Sequence, residues 1–316
     1  MCYTRDNAAN ALAMAHWSEE KERSNVFWLS ALAWSANFLG RGFLRILCVP
    51  IAFFFLATAT QPRKISRDYL NRVLSRPATL LDTLKHFYTF ALVSGDRLLF
   101  LKGKQHKFDL RFSGEDIVQR YANEGRGCML VVSHVGSFDA MRVPAVNEEN
   151  IPIRILIDKA LNPAAISVIE KLNPALGSDM IDAGQPSSAL VLSLNDALSA
   201  GNMVGVMVDR AAPGETLQPV HFLNETAYLP AGPWMLAMVL KVPIIMCTAV
   251  YDGSNRYRIQ FTLISDGTPV PRRERQQQLA LNLEKYVGEL QHIVRSHPYN
   301  WFNFFNFWSD ESSRNH

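Results

Sequence analysis

The stretch Cys128-Met129-Leu130-Val131-Val132-Ser133-His134-Val135-Gly136-Ser137-Phe138-Asp139 decides the reading of the fold. Its first half is apolar and rich in β-branched residues, the pattern of a strand buried on both faces. A histidine stands at the strand's end, a glycine soon after permits a sharp turn, and a carboxylate follows five residues beyond the histidine. That spacing lets Asp139 fold back onto the imidazole of His134, fix its tautomer and strengthen it as a base. Histidines at strand ends are also common without chemistry, and Ser137 or Asp139 can equally cap a helix. Spacing alone leaves both readings open.

Outward from this stretch, strand-like and helix-like segments alternate. Phe108–Phe112 alternates apolar and polar residues as a half-buried strand does, and Gly114–Glu124 has helical character. Ile151–Ile157, Met180–Asp182, Met203–Val208, Val242–Val250 and Tyr257–Leu263 read as strands. Helices are expected from about 80 to 105 and at Pro163–Leu172, Ser187–Ala200, Gly232–Leu240 and Gln276–Val294. Val220–Leu229 reads as an extended segment turning at Asn224-Glu225. The alternation predicts an α/β fold with a mostly parallel central sheet flanked by helices. In such sheets functional residues gather at the carboxyl ends of strands. His134 falls at one such end and Asp209-Arg210 at another.

Composition narrows the function. Apolar residues make up 48% of the 316, charged residues only 19%, and the net charge is +3. A mild basic excess with scattered arginines and no recognition motif argues against a nucleic-acid partner. The four cysteines (Cys2, Cys48, Cys128, Cys247) are far apart, as reduced thiols of a reducing compartment are. Close Cys/His pairs of the zinc-site kind are lacking, so no metal is expected. There is no phosphate-cradling glycine loop, and no cofactor is implied.

Much of the apolar excess sits in the N-terminal fifth, in the runs Val26–Gly40 and Phe43–Thr60. A spanning helix needs roughly 20 apolar residues, so the second run suffices if Arg45 snorkels to the interface. The first is short and fits a helix lying in the interface. Ile51–Leu56 offers no polar face, which argues against a plain core helix of a soluble domain. The late start and the lack of a cleavage site disfavour a secretory signal. Arg63, Lys64, Arg67, Arg72 and Arg76 follow directly, and a basic segment after an apolar run places the remainder on the cytoplasmic side. The expected division is residues 1–78 as N-terminal membrane-associated helices and 79–316 as the catalytic domain.

His134-Val135-Gly136-Ser137-Phe138-Asp139 resembles the His-four-residues-acid motif of the glycerolipid acyltransferase superfamily. The wider pattern is similar to that of the bacterial lipid A secondary acyltransferases and their aryl-polyene-pathway relatives. It takes in Arg63–Val73, Phe90–Leu101 with Asp96-Arg97, Val208-Asp209-Arg210, Val220–Leu223, Pro230–Pro233 and His297–Phe304. The resemblance implies transfer of a fatty acyl group from an acyl carrier protein thioester to a hydroxyl of a lipid A-like, glycolipid or aryl-polyene-type acceptor. It also implies an inner-membrane location. Two departures are visible. The acid is Asp139 where lipid A acyltransferases usually carry glutamate, and Pro230-Ala231-Gly232-Pro233 lacks the glutamate with which glycerol-phosphate acyltransferases hold their acceptor.

The chemistry expected of these residues is direct. His134 takes the acceptor's proton and Asp139 stabilises the resulting imidazolium. Backbone N–H groups around Gly136 and Ser137, or Arg210, are candidate donors to the oxyanion. Asp209 reads equally as a strand-end cap, Arg210 as a salt-bridge partner and Lys159 as a contact to phosphate or a solvated surface group. Gly232 opens a helix expected to line the acyl chain's path, though an apolar helix is more often core. An acidic carrier protein calls for a basic docking patch, with Arg272, Arg273 and Arg275 or Lys102, Lys104 and Lys107 as candidates. The tail Trp301–Trp308 carries six aromatic residues in eight and is expected to pack on the body near the active face. Two other readings stand beside the acyltransferase: an esterase or thioesterase, for which Ser137 lacks the Gly-x-Ser-x-Gly elbow, and a non-catalytic lipid-binding scaffold.

Overall fold

A computed structural model describes residues 40–142, 153–160, 163–174, 177, 179–211 and 214–308. Three helices come first: α1 (Gly40–Thr58), α2 (Thr60–Leu74) and α3 (Leu80–Leu101). Strand β1 (Asp109–Ser113), helix α4 (Glu115–Asn123), strand β2 (Cys128–Val132) and the short helix α5 (Phe138–Met141) follow. Next are β3 (Ile153–Ile157), α6 (Pro163–Leu172), β4 (Met180–Asp182), α7 (Ser187–Ser199) and β5 (Met203–Met207). The chain continues through β6 (Leu217–Phe222), β7 (Glu225–Pro230), α8 (Gly232–Leu240), β8 (Ile244–Tyr251), β9 (Arg256–Ser265) and α9 (Arg275–Ser296).

The seven-stranded sheet has the order β1-β9-β8-β2-β5-β3-β4, and β6 and β7 form a separate hairpin. Strands β8, β2, β5, β3 and β4 run parallel, while β9 reverses against β8 and carries β1 with it. The mostly parallel sheet expected from the alternation is therefore present, with one reversed edge. Residues of β2 alternate between two cores. Met129 and Val131 face a cluster shared with α7, α8 and α9, and Cys128, Leu130 and Val132 face one shared with α3 and α4. A central strand covered on both faces has no polar side to show, which is why this segment is uniformly apolar.

Helix α3 starts at a capping box: Thr79 Oγ1 accepts the Asp82 N–H at 3.1 Å and Asp82 Oδ2 accepts the Thr79 N–H at 2.8 Å. Helix α1 packs Leu44, Cys48 and Ile51 against α3. Its other side exposes Phe43, Ile46, Val49, Phe53 and Phe54, so beyond Arg45 the helix is apolar on its outer face as well. Arg41–Thr58 is long and apolar enough to cross a membrane by length and composition. Its first turn is pinned to the body, since Arg41 grips both carboxylate oxygens of buried Asp96 at 2.8 and 2.7 Å. The Tyr257 hydroxyl donates to the same carboxylate at 2.8 Å. Except for Gly40, the first apolar run lies outside the described residues, as does Cys2. Tyr69, Leu70 and Val73 of α2 belong to the larger sheet core.

Candidate active site

Strands β2 and β5 are parallel neighbours, with Val132 level with Met207. The ladder runs one step further, because the Val208 N–H donates to the Val132 carbonyl at 3.0 Å. Two residues past each strand end, His134 and Asp209 come level and meet. Asp209 Oδ1 lies 2.8 Å from His134 Nδ1, and Oδ2 accepts the His134 backbone N–H at 2.8 Å. The indole N–H of Trp301 donates to Oδ2 at 3.1 Å. A carboxylate can only accept, so the proton of a neutral His134 sits on Nδ1 and Nε2 carries the free lone pair. Asp209 is buried, whereas the His134 side chain is about a quarter exposed (26%) and accessible from the carboxyl edge of the sheet. Burial alone pushes the Asp209 carboxyl up; the His134 and Trp301 donors outweigh it and hold it below the usual range.

Asp139, the carboxylate expected to hold the imidazole, is turned elsewhere. Its Oδ2 lies 3.0 Å from Nε of Arg97 on α3. Burial pushes its carboxyl up, against the charges of Arg97 and Arg142. The reason is local. Gly136 adopts φ +65° and bridges to Ala249 of β8, while Val135 bridges to Trp301, so the loop is spent on backbone pairing. Ser137 then caps α5, its Oγ accepting the Ala140 N–H at 3.2 Å, and the new helix aims its first-turn acid at α3.

The amides expected to cradle an oxyanion are also engaged. The Gly136 N–H donates to the Asn300 carbonyl at 2.8 Å and the Ser137 N–H to Ala249 at 2.9 Å. A side chain at 136 would overlap the Ala249 carbonyl, so only glycine fits this close approach. Arg210, next to Asp209, lays its guanidinium 4.5 Å from the Phe305 ring centre, and burial lowers its pKa. Lys159 follows β3 at the same sheet edge, two strands from β2, with its backbone N–H donating to Asp182 Oδ1 at 3.2 Å. No hydrogen bond among the described residues joins it to His134. Gly232 begins α8, whose Trp234 is buried edge-on against Tyr286, and takes no part in the hydrogen bonds that hold the dyad.

The aromatic tail packs on the body, as expected, and does more than cover it. Asn300 mimics a strand, pairing both side-chain ends with the Tyr251 backbone at 2.7 and 3.1 Å. The Phe302 N–H donates to the His134 carbonyl at 2.8 Å. The tail thus fixes the histidine loop from one side and the carboxylate from the other. The density of aromatics at 301–308 was the available signal; the indole's target was not readable from it.

A buried carboxylate clamping the inner nitrogen of a strand-end imidazole, whose outer nitrogen has no hydrogen bond among the described residues, is a general-base arrangement. The family described as bacterial lipid A biosynthesis acyltransferase matches residues 15–309. The chain belongs to that family. The match runs through every described strand and helix, so the fold is that of an acyltransferase of lipid biosynthesis. A comparison with curated proteins finds no match.

Proposed function

We propose that this acyltransferase moves a fatty acyl chain from an acyl carrier protein thioester to a hydroxyl of a lipid A-like, glycolipid or aryl-polyene-type acceptor, with His134 as general base and Asp209 as its partner. The observation that carries the reading is the His134–Asp209 contact at 2.8 Å, with Nδ1 clamped and Nε2 without a hydrogen bond among the described residues. An alcohol is a poor nucleophile near neutrality because its proton is held tightly. Nε2 takes that proton as the oxygen attacks the thioester carbonyl. The tetrahedral intermediate expels the carrier's thiolate, which recovers a proton from the imidazolium. No covalent enzyme intermediate is required, since the thioester is already activated. Arg210 is the oxyanion donor in this scheme, because the Gly136 and Ser137 amides are occupied. Asp139 holds Arg97, and Lys159 contacts a phosphate of acceptor or carrier.

Sheet topology favours one basic patch for the acidic carrier. β1 and β9 run opposite to β2, so β1 begins at the edge where β2 ends. Lys102, Lys104 and Lys107 immediately precede β1 and therefore flank the histidine's edge. Arg272, Arg273 and Arg275 follow β9 and lie at the far edge. The apolar outer face of α1 and the basic helix α2 support attachment at the inner membrane with the dyad facing the cytoplasm. The test is mass spectrometry of the host's envelope lipids with the chain intact, deleted, or carrying His134→Ala. A lipid lighter by one acyl chain in both altered strains is expected. Unchanged lipids during expression of the intact chain refute the proposal.

A further inference from the structure

Among the buried titratable groups that the proposed mechanism does not use is a histidine. His86 of α3 is fully buried among Tyr69, Phe302 and Phe304. Its Nε2 lies 2.9 Å from the Trp301 carbonyl oxygen and its Nδ1 2.8 Å from Ser66 Oγ on α2. A carbonyl only accepts, so Nε2 carries the proton; Nδ1 of the neutral ring then accepts from the Ser66 hydroxyl. The ring is thereby held in one tautomer and one orientation. Trp301 is the residue whose indole N–H reaches Asp209, and Asp209 holds His134. The contacts form an unbroken line from Ser66 through His86, Trp301 and Asp209 to His134.

We propose that His86 is a positioning residue for acyl transfer, fixing the Trp301 backbone so that its indole holds the Asp209 carboxylate in register with the base. This rests on the reading of His134 as the base. The argument is one of freedom removed. Trp301 lies past α9, outside the named helices and strands, and its backbone bridges to Val135 of the histidine loop. The buried Trp301 carbonyl accepts the Asn303 N–H at 2.8 Å within the tail itself, and its second lone pair takes a donor from the body. His86 supplies that donor from a long helix anchored by a capping box. The indole then has one place to point.

The experiment uses the full chain in detergent, labelled with ¹⁵N-histidine and ¹⁵N-tryptophan, beside steady-state kinetics with an acyl carrier protein thioester and an extracted envelope-lipid acceptor. His86→Phe keeps the ring's bulk and removes both nitrogens. It should move the Trp301 indole resonance and lower kcat about 10- to 100-fold with KM little changed, the usual scale for groups that orient a reacting residue. His86→Gln, whose amide can donate to the same carbonyl, should recover most of both. Trp301→Phe should show the same loss as His86→Phe, and the double variant no more than either single one. Losses that multiply, or an indole resonance that stays put in His86→Phe, overturn the proposal. If His86→Phe fails to fold, Ser66→Ala takes its place. A second His86 tautomer and a reduced kcat are then expected, and an unchanged spectrum and rate refute the line of contacts. A wild-type chain that transfers no acyl group, yet whose indole responds to His86→Phe, sinks the proposed function and leaves the coupling. An active chain without that response sinks the coupling alone.

Discussion

Replacing Asp209 by asparagine separates the two carboxylates that could serve His134. Asp209 accepts from His134 Nδ1, the His134 amide and the Trp301 indole, and offers only two oxygens to do it. Asparagine keeps one oxygen and brings an NH₂ group where the other stood. With its oxygen on the amide and indole side, the NH₂ faces Nδ1 and drives the ring to the Nε2–H tautomer, which cannot act as a base. Flipped, it leaves two buried donors opposing its own. The equivalent substitution in a serine-protease triad costs about 10⁴ in kcat through the wrong tautomer. At about 1.36 kcal/mol per decade that is ~5 kcal/mol of barrier. The expectation for Asp209→Asn is a loss of about 10³ to 10⁴ in kcat with KM little changed, since the dyad acts on the transition state. Asp139→Asn removes a charge paired with Arg97 and leaves the His134–Asp209 pair standing, so its loss should be at least about tenfold smaller by the same scale. The assay is single-turnover transfer of a radiolabelled acyl chain, with circular dichroism to confirm the fold. If Asp139→Asn is silent chemically and Asp209→Asn is nearly as active as wild type, the dyad assignment fails. If Asp139→Asn proves the more damaging of the two, the acid at the five-residue spacing is the imidazole's partner during turnover.

Three further outcomes follow from geometry elsewhere. Gly136→Ala must push its methyl into the Ala249 carbonyl at a positive φ, so a loss of about 1–3 kcal/mol and a displaced His134 loop are expected; thermal melting and kcat measured together check it, and an unchanged pair of values contradicts the turn. Arg41→Ala removes both guanidinium bonds to the buried Asp96 carboxylate and leaves it, among the described residues, the Tyr257 hydroxyl and the more distant charge of Arg45, which should cost about 3–5 kcal/mol and loosen α1 from α3; denaturant titration reads the first and limited proteolysis the second. His86 is pushed down from 6.5 to about 4 by burial, so the unfolded chain binds that proton first. The stability it contributes is whole above pH ~6.5 and is lost as the pH falls toward ~4, about 1.4 kcal/mol per unit at most. His86→Gln should flatten that part of the acid profile in denaturant melts at pH 7.5, 5.5 and 4.5, and an identical profile speaks against a buried neutral ring.

The parallel sheet was legible because apolar runs such as Cys128–Val132 and Met203–Met207 have no polar period to hide. The helix expected from about 80 begins there, and the structure adds the local reason, the Thr79/Asp82 capping box. The turn of the hairpin fell at Leu223-Asn224, both at positive φ, one residue before the expected Asn224-Glu225. What failed in the site was the step from spacing to contact. A five-residue interval says that Asp139 can reach His134 only if the chain between them curls back on itself. Here Val135 and Gly136 pair with Trp301 and Ala249 instead, and a helix begins at Phe138 that points the acid away.

Asp209 was visible as a polar residue at a second strand end, and its meeting with His134 depended on a fact that sequence order conceals. β2 and β5 are separated by 70 residues and two other strands in the chain, yet they are neighbours in the sheet. In a parallel pair the in-register ends advance together, so residues equally far past Val132 and Met207 must come level. Strand order, once known, therefore assigns the partner without any motif. The same reasoning explains why the tail was underestimated. A run of aromatics announces burial, and burial of Trp301 brings an N–H that needs an acceptor. The acceptor within reach was the carboxylate already holding the imidazole, and that ties a packing element to the strand-end histidine.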